Sequence, residues 1–414
     1  MTRQLLKEAQ RSIGREHKRS ADGRLRIGLF AFGGHGDFMR LMTFAAAVRK
    51  QFPKKLAHLT VITKYVQPTY DDPQQPGLGK PGWDVNEELL HMIGCQPHML
   101  IDYCLLLIQV HWAHAVKMLR RRFDHFWEVQ YTARLSVHPR LGGRWNGFLG
   151  SCERACAPWR EVFDGFPESN PRLSGLGQSQ FETLAASSGL AVTEDDLRLD
   201  VQSKGRAVLL GGRSWEPVVE APTEPYITWH NGAGGRATVK CLPEGLVAES
   251  VAAARVKGLH VVQVGRRDKE TLVDGCIDML GTSILDTAVL LNGAVCHFDV
   301  EGGIRYLSHA LGVPSVTFFG PTPPSLFGFR DGGINYTREE CEPCWWSKRH
   351  WDRRCMRGHP HCKNMPQDAK EIRRLTATAI DYARTWRALG VPPVMSGKPS
   401  QSSAQGTPLQ PEEQ

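Results

Sequence analysis

Three glycine-rich turns in this chain carry charged residues, and each follows a short apolar run. The first, Gly33-Gly34-His35-Gly36-Asp37, ends in an acid. A carboxylate on such a turn is exposed enough to take a proton from a hydroxyl as a general base. It is equally suited to cap the helix that follows, held by backbone N–H groups. The second turn, His230-Asn231-Gly232-Ala233-Gly234-Gly235, is followed by Arg236 and Lys240. Its backbone N–H groups and the two cations suit a phosphate, although either cation alone also reads as a solvated loop residue. In the third, Glu301-Gly302-Gly303, the acid can grip hydroxyl groups while the glycines let the backbone approach a phosphate at a helix N-terminus. Helix capping is the alternative role for Glu301.

A different chemistry is suggested by Cys341, Cys344, Cys355 and Cys362, spaced C-x2-C-x10-C-x6-C. The first pair is a knuckle for a tetrahedral metal, and two further thiols complete a closed, structural four-sulfur set. Zinc is the chemical default, and iron also suits four thiolates. His350, His359 and His361 are alternative ligands, and four reduced thiols on a loop are the plainer reading. Trp345, Trp346 and Trp351 lie among basic residues, as in surfaces that stack on nucleic-acid bases. The knuckle is too short for that, so no nucleic-acid partner is expected. Cys152 and Cys156 would share a helix face but have no partner ligands.

These turns need strands and helices to hold them. At 414 residues the chain exceeds one comfortable core, and two domains are expected. Arg26–Ala31 and Leu59–Thr63 read as buried strands around a helical Phe38–Lys50, a βαβ unit. From Tyr226 a second series alternates strands (Tyr226–His230, His260–Val264, Val295–Phe298, Ser315–Phe319) with helices (Pro243–Val256, Ile284–Asn292, Ile304–Leu311). That regularity predicts a second parallel sheet. Between the two series, helices near Glu87–Ile93 and Phe181–Ser188 and a strand near Phe126–Tyr131 are expected. Met99–Leu119 reads as a buried or half-buried helix. Its sharper reading is an interfacial helix whose Arg120, Arg121 and Arg122 meet anionic lipid.

The expected organisation is a basic extension over 1–23 with no obvious core face, then a Rossmann-like domain over 24–215. A second such domain covers 225–366 and includes the cysteine cluster at 341–362. A helix at 367–390 and a disordered tail at 391–414 close the chain. The formal charge of +8 favours an anionic partner without naming it. No run reaches the ~18 apolar residues of a membrane span, and the N-terminus lacks the apolar core of a secretory signal. A cytoplasmic protein with reduced thiols is therefore expected.

Taken in order, the motifs resemble those of the ADP-heptose:lipopolysaccharide heptosyltransferases, glycosyltransferase family 9. The Gly33–Asp37 turn matches the family's N-terminal motif. His230-Asn231-Gly232-Ala233-Gly234, with Lys240 and Pro243, matches the opening of its second domain. Glu301-Gly302-Gly303 leads through Ala310-Leu311-Gly312-Val313-Pro314 to Phe319-Gly320-Pro321-Thr322, a third match. The cysteine block, with Gly358-His359 inside it, is the fourth, so the resemblance spans about residues 24–366.

The resemblance implies an α/β GT-B architecture, two facing Rossmann-like doubly wound domains with an interdomain cleft. It implies inverting, metal-independent sugar transfer, with the acceptor on the N-terminal domain and a nucleotide-sugar on the C-terminal one. Asp37 would be the base, while Lys240, Arg236, Gly232, Gly234, Gly265, Glu301, Gly302 and Gly303 would line the donor site. The donor would be an ADP-sugar, and the acceptor a saccharide or lipid-linked molecule of the cell envelope, with the enzyme peripheral on the inner membrane face. No cofactor is implied for catalysis. The chain departs from the family in having Glu301-Gly302-Gly303 for Asp-Ser/Thr-Gly, Tyr306 for a histidine, and no Thr-x-Pro after Asp37. Two rivals share the architecture: a nucleotide-sugar 2-epimerase, which needs no acceptor, and a non-catalytic binding module.

Overall fold

The computed structural model describes residues 2–19, 23–31, 35–64, 101–107, 112–137, 152, 154–156, 177–196, 198–199, 207–208, 214–215, 218–232, 238–345 and 354–389. The protein is α/β, built on two largely parallel sheets. In the first, β1 (Leu25–Ala31) is central, between β2 (Ala57–Lys64) and β4 (His125–Val129), both parallel to it. β3 (Tyr103–Leu107) extends the sheet beyond β2, and β5 (Ala133–Val137) closes the other edge as an antiparallel hairpin with β4. The order β3-β2-β1-β4-β5 reverses direction at β1, the kind of switch point at which open α/β sheets bind ligands. Strand β1 is buried along nearly its whole length, as an apolar run covered on both faces should be.

Helix α1 (Thr2–Arg19) corrects the expectation of a basic extension without a core face. Leu6, Ala9 and Ile13, at helical spacing, are buried against Phe30, Ile62, Phe123 and Phe126. The basic side chains Lys7, Arg11, Arg15 and Lys18 stay exposed. Met99–Leu119 is corrected as well. It holds strand β3 and then a short helix, α3 (Trp112–Leu119). On the opposite face of the sheet, α2 (His35–Gln51) is buried from Phe38 to Val48. The expected helix at Glu87–Ile93 lies outside the described residues.

Helix α4 (Gln180–Ser188) begins with a capping box: Ser179 accepts from Glu182 N, and Glu182 accepts from Ser179 N. Its C-cap, Gly189, is left-handed at φ 70°. Only a two-stranded ribbon, β6 (Ala207–Val208) with β7 (Ser214–Trp215), is described in the connecting stretch.

The second sheet has the order β10-β9-β8-β11-β12-β13, parallel throughout. Its strands are β8 (Tyr226–His230), β9 (His260–Gly265), β10 (Ile277–Leu280), β11 (His297–Val300), β12 (Ser315–Phe318) and β13 (Gly333–Tyr336). Helix α5 (Glu244–Val256) packs against the closing helix, here α9 (Ala369–Leu389); Ser250 and Thr376 share a hydrogen bond of 2.7 Å between them. Between α5 and α9 along the chain lie α6 (Ile284–Gly293), α7 (Ile304–Ala310) and the single turn α8 (Pro324–Phe327). The switch point is β8, whose end leads into the second glycine turn.

The two halves share core. Phe38, Met39 and Phe181 lie in one apolar cluster with Tyr306, Leu307, Ala310 and Phe329. Leu199 N donates to Ala310 O at 2.8 Å, and Arg330 pairs with Glu182 at 2.7 Å.

Candidate active site

At the end of β8 the His230 ring is held between two acids. Its Nδ1 lies 2.6 Å from Asp299 Oδ1, and its Nε2 lies 3.3 Å from Glu270 Oε1. Burial acts to lower the pKa of this imidazole, but Asp299 and Glu270 outweigh it and raise the pKa to about 10. His230 is therefore a buried imidazolium at neutral pH. Asp299, on β11, is pushed toward protonation by burial, yet His230 and then His297 hold it below the usual carboxylate range. Thr228 in turn shares a 3.0 Å hydrogen bond with His297 Nδ1.

Glu270 also accepts from Asn231 N at 3.0 Å. Its carboxylate fills the space above two glycines. A Cβ on Gly232 would meet Glu270 Oε1 at 2.5 Å, and one on Gly265 at 1.9 Å. Gly265 also has φ 137°, so a side chain there is excluded twice.

Just beyond, Lys240 forms an ion pair with Glu301, which leaves β11 at its carboxyl end. Burial works against the Glu301 charge, but Lys240 and then Arg305 hold its pKa below the ordinary value. Gly302 and Gly303 follow. A Cβ on Gly303 would lie 2.8 Å from His35 Cβ, so the third turn touches the first across the two halves. His35 is pushed down to about 4 by burial, then by the charges of Arg266 and His230, and is neutral.

On the N-terminal side, Asp37 lies inside the first turn of α2, which begins at His35. That is not the N-cap position. Its carboxylate pairs with Arg40, three residues on and almost completely buried. The Arg40 guanidinium lies 4.5 Å over the Tyr131 ring. Burial raises the pKa of the Tyr131 hydroxyl, and the charges of Asp37 and Glu301 both push it further, so Tyr131 is within electrostatic reach of both acids.

The structure thus brings Asp37, Gly232, Lys240, Gly265, Glu301, Gly302 and Gly303 to the carboxyl ends of β1, β8, β9 and β11. Arg236 and Gly234 lie outside the described residues. Sequence reasoning did not single out Arg40, Tyr131, Glu270 or the His230–Asp299 pair.

No family model and no curated protein sequence matches the chain. Among solved structures it is similar to the dodecameric iron-containing heptosyltransferase TibC of enterotoxigenic Escherichia coli, in complex with ADP-D-β-D-heptose. The identity is 15%, the TM-score 0.50, and the match covers 89% of this chain and 77% of that one. The E. coli ADP-heptose LPS heptosyltransferase II matches at 14% identity and TM-score 0.48, over 86% of this chain and 98% of that one. A family 9 glycosyl transferase from Veillonella parvula matches at 14% and 0.48, over 86% and 97%. The fold is GT-B. Identities this low speak to architecture alone, and the TibC match is the one that carries it.

None of the four cysteines of the cluster is in a disulfide. Burial raises the pKa of Cys344, and Cys355 and Cys341 add to the effect. Burial likewise raises Cys362 to about 11, with Cys344, Cys355 and Cys341 contributing, so the four lie within electrostatic reach of one another. Asn364 fixes the backbone here by accepting from Cys341 N at 2.8 Å and donating to Cys341 O at 2.8 Å. Among the described residues, no three His, Cys, Asp or Glu side chains converge closely enough to hold a metal ion. Nor is any helix among them long and apolar enough to cross a membrane.

Proposed function

We propose that the chain is an inverting glycosyltransferase that moves a sugar, a heptose from ADP-heptose, onto a lipopolysaccharide-core or other cell-envelope acceptor. The observation that supports this most is that Asp37 and the Lys240–Glu301 pair stand on turns at the carboxyl ends of two doubly wound sheets, and that these turns touch where Gly303 meets His35.

In this reading the acceptor hydroxyl loses its proton to Asp37 as its oxygen attacks the anomeric carbon. The bond to the diphosphate breaks on the opposite face, and negative charge builds on the departing ADP. Lys240 and Arg236, with backbone N–H groups of the second and third glycine turns, offset that charge without a catalytic metal. Glu301 and Glu270 are acceptors for sugar and ribose hydroxyls. Lys240 would then exchange part of its contact with Glu301 for phosphate.

The cysteine block is a candidate structural metal site. Cys341, Cys344, Cys355 and Cys362 would supply the donor set of a closed four-thiolate centre for zinc or iron, drawing closer together than they stand here. Such a centre has no open position and contributes stability rather than catalysis. A cytoplasmic protein peripheral on the inner membrane face suits a lipid-linked acceptor. The exposed Arg120, Arg121 and Arg122, next to the basic face of α1, offer anionic lipid a surface.

The test is to supply ADP-, UDP-, GDP- and CMP-sugars with and without a lipopolysaccharide-core acceptor and to follow nucleotide release and anomeric configuration. Acceptor-dependent ADP release with inversion supports the proposal. Conversion of a donor alone would favour an epimerase, and no turnover with any donor would contradict both.

A further inference from the structure

Arg40 places a full positive charge inside the molecule, at 2% exposure, on a helix otherwise lined by apolar side chains. A buried guanidinium needs partners for its charge and its N–H groups. Its charge partner is Asp37. Its Nη1 donates to Gln180 Oε1 at 3.3 Å, and the same oxygen accepts from the Tyr306 hydroxyl at 2.7 Å. Arg40 and Gln180 belong to the N-terminal half. Tyr306 belongs to α7, the helix that follows Glu301-Gly302-Gly303. Its ring also rests on the first glycine turn, where a Cβ on Gly36 would meet Tyr306 Cε2 at 3.1 Å.

We infer that Arg40 is a positioning residue for Asp37, and that Gln180 makes this positioning depend on Tyr306 of the opposite half. The inference rests on the transferase reading and deepens it. Asp37 and Arg40 lie on one helix face, and a carboxylate paired to a fixed guanidinium loses rotamer freedom. Asp37 nevertheless keeps 29% of its side chain exposed, so the pair leaves it reachable.

The Gln180 carbonyl oxygen is shared by two donors from different halves, so each bond is set by the other. Gln180 follows directly on the Ser179 cap and is itself fully buried, which gives the bridge a rigid base. A nucleotide-sugar that engages Glu301, Gly302 and Gly303 presses on the helix carrying Tyr306. Through Gln180 and Arg40 that movement reaches the base. Donor occupancy and base orientation are thereby linked.

The experiment compares Tyr306→Phe, Arg40→Lys and Arg40→Met with the wild type in two measurements: donor affinity by calorimetry, and kcat. Tyr306→Phe removes one oxygen and keeps the ring against Gly36 and Phe329. It should leave donor affinity within about twofold and lower kcat roughly tenfold, since a misplaced reacting group costs up to about 100-fold. Arg40→Met should lower kcat by about 100-fold on the same ground, with donor affinity again within about twofold. Arg40→Lys should restore part of kcat. If Arg40→Met does not fold, Tyr306→Phe and Arg40→Lys carry the test.

Wild-type kcat in both of these variants would overturn the inference while leaving the transferase reading intact. Loss of donor affinity in step with kcat would also overturn it, marking Tyr306 as a binding residue. A wild-type chain with no turnover on any sugar nucleotide refutes the transferase reading itself, and the positioning role with it, before any variant is made.

Discussion

The turns that end β1 and β8 occupy equivalent places in their two sheets, yet they handle charge in opposite ways. At β8 the charges are enclosed and balanced: the Asp299 side chain is 0% exposed, Glu270 4%, His230 9% and Glu301 9%. At β1 the Asp37 carboxylate remains 29% exposed, and only its partner Arg40 is sealed in. A site that must stabilise charge building on a leaving group works best when its dipoles and ions are fixed beforehand. A group that must exchange a proton with an incoming hydroxyl has to stay reachable. In the proposed transferase, the contrast suits a donor on the second half and an acceptor on the first.

The strongest way to break that contrast is Asp37→Asn. Loss of a positioned general base should lower turnover by about 10²–10⁴-fold, while calorimetry finds donor affinity within a factor of two or so. A comparable loss of donor binding would mean that the exposed acid is not confined to the acceptor side. Next comes Lys240→Met, which leaves the buried Glu301 carboxylate with Arg305 alone of the two cations that hold its charge. Removing one partner of a buried pair costs about 3–5 kcal/mol, and the exposure of Lys240 places the expected loss near the lower end, about 3 kcal/mol in urea unfolding. Adding Glu301→Gln should restore much of it. No recovery in the double variant would show that the two residues are not coupled.

The enclosed imidazolium sharpens the comparison through pH. His230 has a folded pKa of about 10 against an ordinary 6.5. Its contribution to stability is therefore complete below about pH 6.5 and is lost as pH rises through about 10. The melting temperature of the wild type should fall more steeply between those values than that of His230→Gln. Parallel curves would place the charge elsewhere. The smallest effect is expected at Ser179→Ala, which removes the cap of α4 and should cost about 1 kcal/mol, read from the urea midpoint.

Much of the architecture could be read from the sequence because β1, β8, β9, β11 and β12 are largely apolar runs that end on, or lead within two residues to, glycine or acid. β10 and β13 could not. They sit at or next to an open edge, are only partly covered, and read as IDML and GINY. The run around Leu105 was ambiguous because five apolar residues fit a strand or a buried helix equally well. The inward face of α1 was legible in Leu6, Ala9 and Ile13, but the surrounding basic residues obscured it.

Within the site, Asp37, Lys240 and Glu301 stood out because each adjoins a glycine turn. Glu270 and the His230–Asp299 pair did not, since their meaning lies in contacts between residues 40 and 69 positions apart. Arg40 left a signal that sequence reading could have used, a lone cation in the apolar stretch from Phe38 to Val48.

The central claim, that the cleft between the halves holds a sugar nucleotide, is tested most directly by titrating the purified protein with ADP-sugars in a calorimeter. Saturable one-to-one binding of an ADP-sugar is predicted, abolished or greatly weakened by Lys240→Met and retained by Asp37→Asn. No heat with ADP-, UDP-, GDP- or CMP-sugars, or binding indifferent to Lys240, would contradict it.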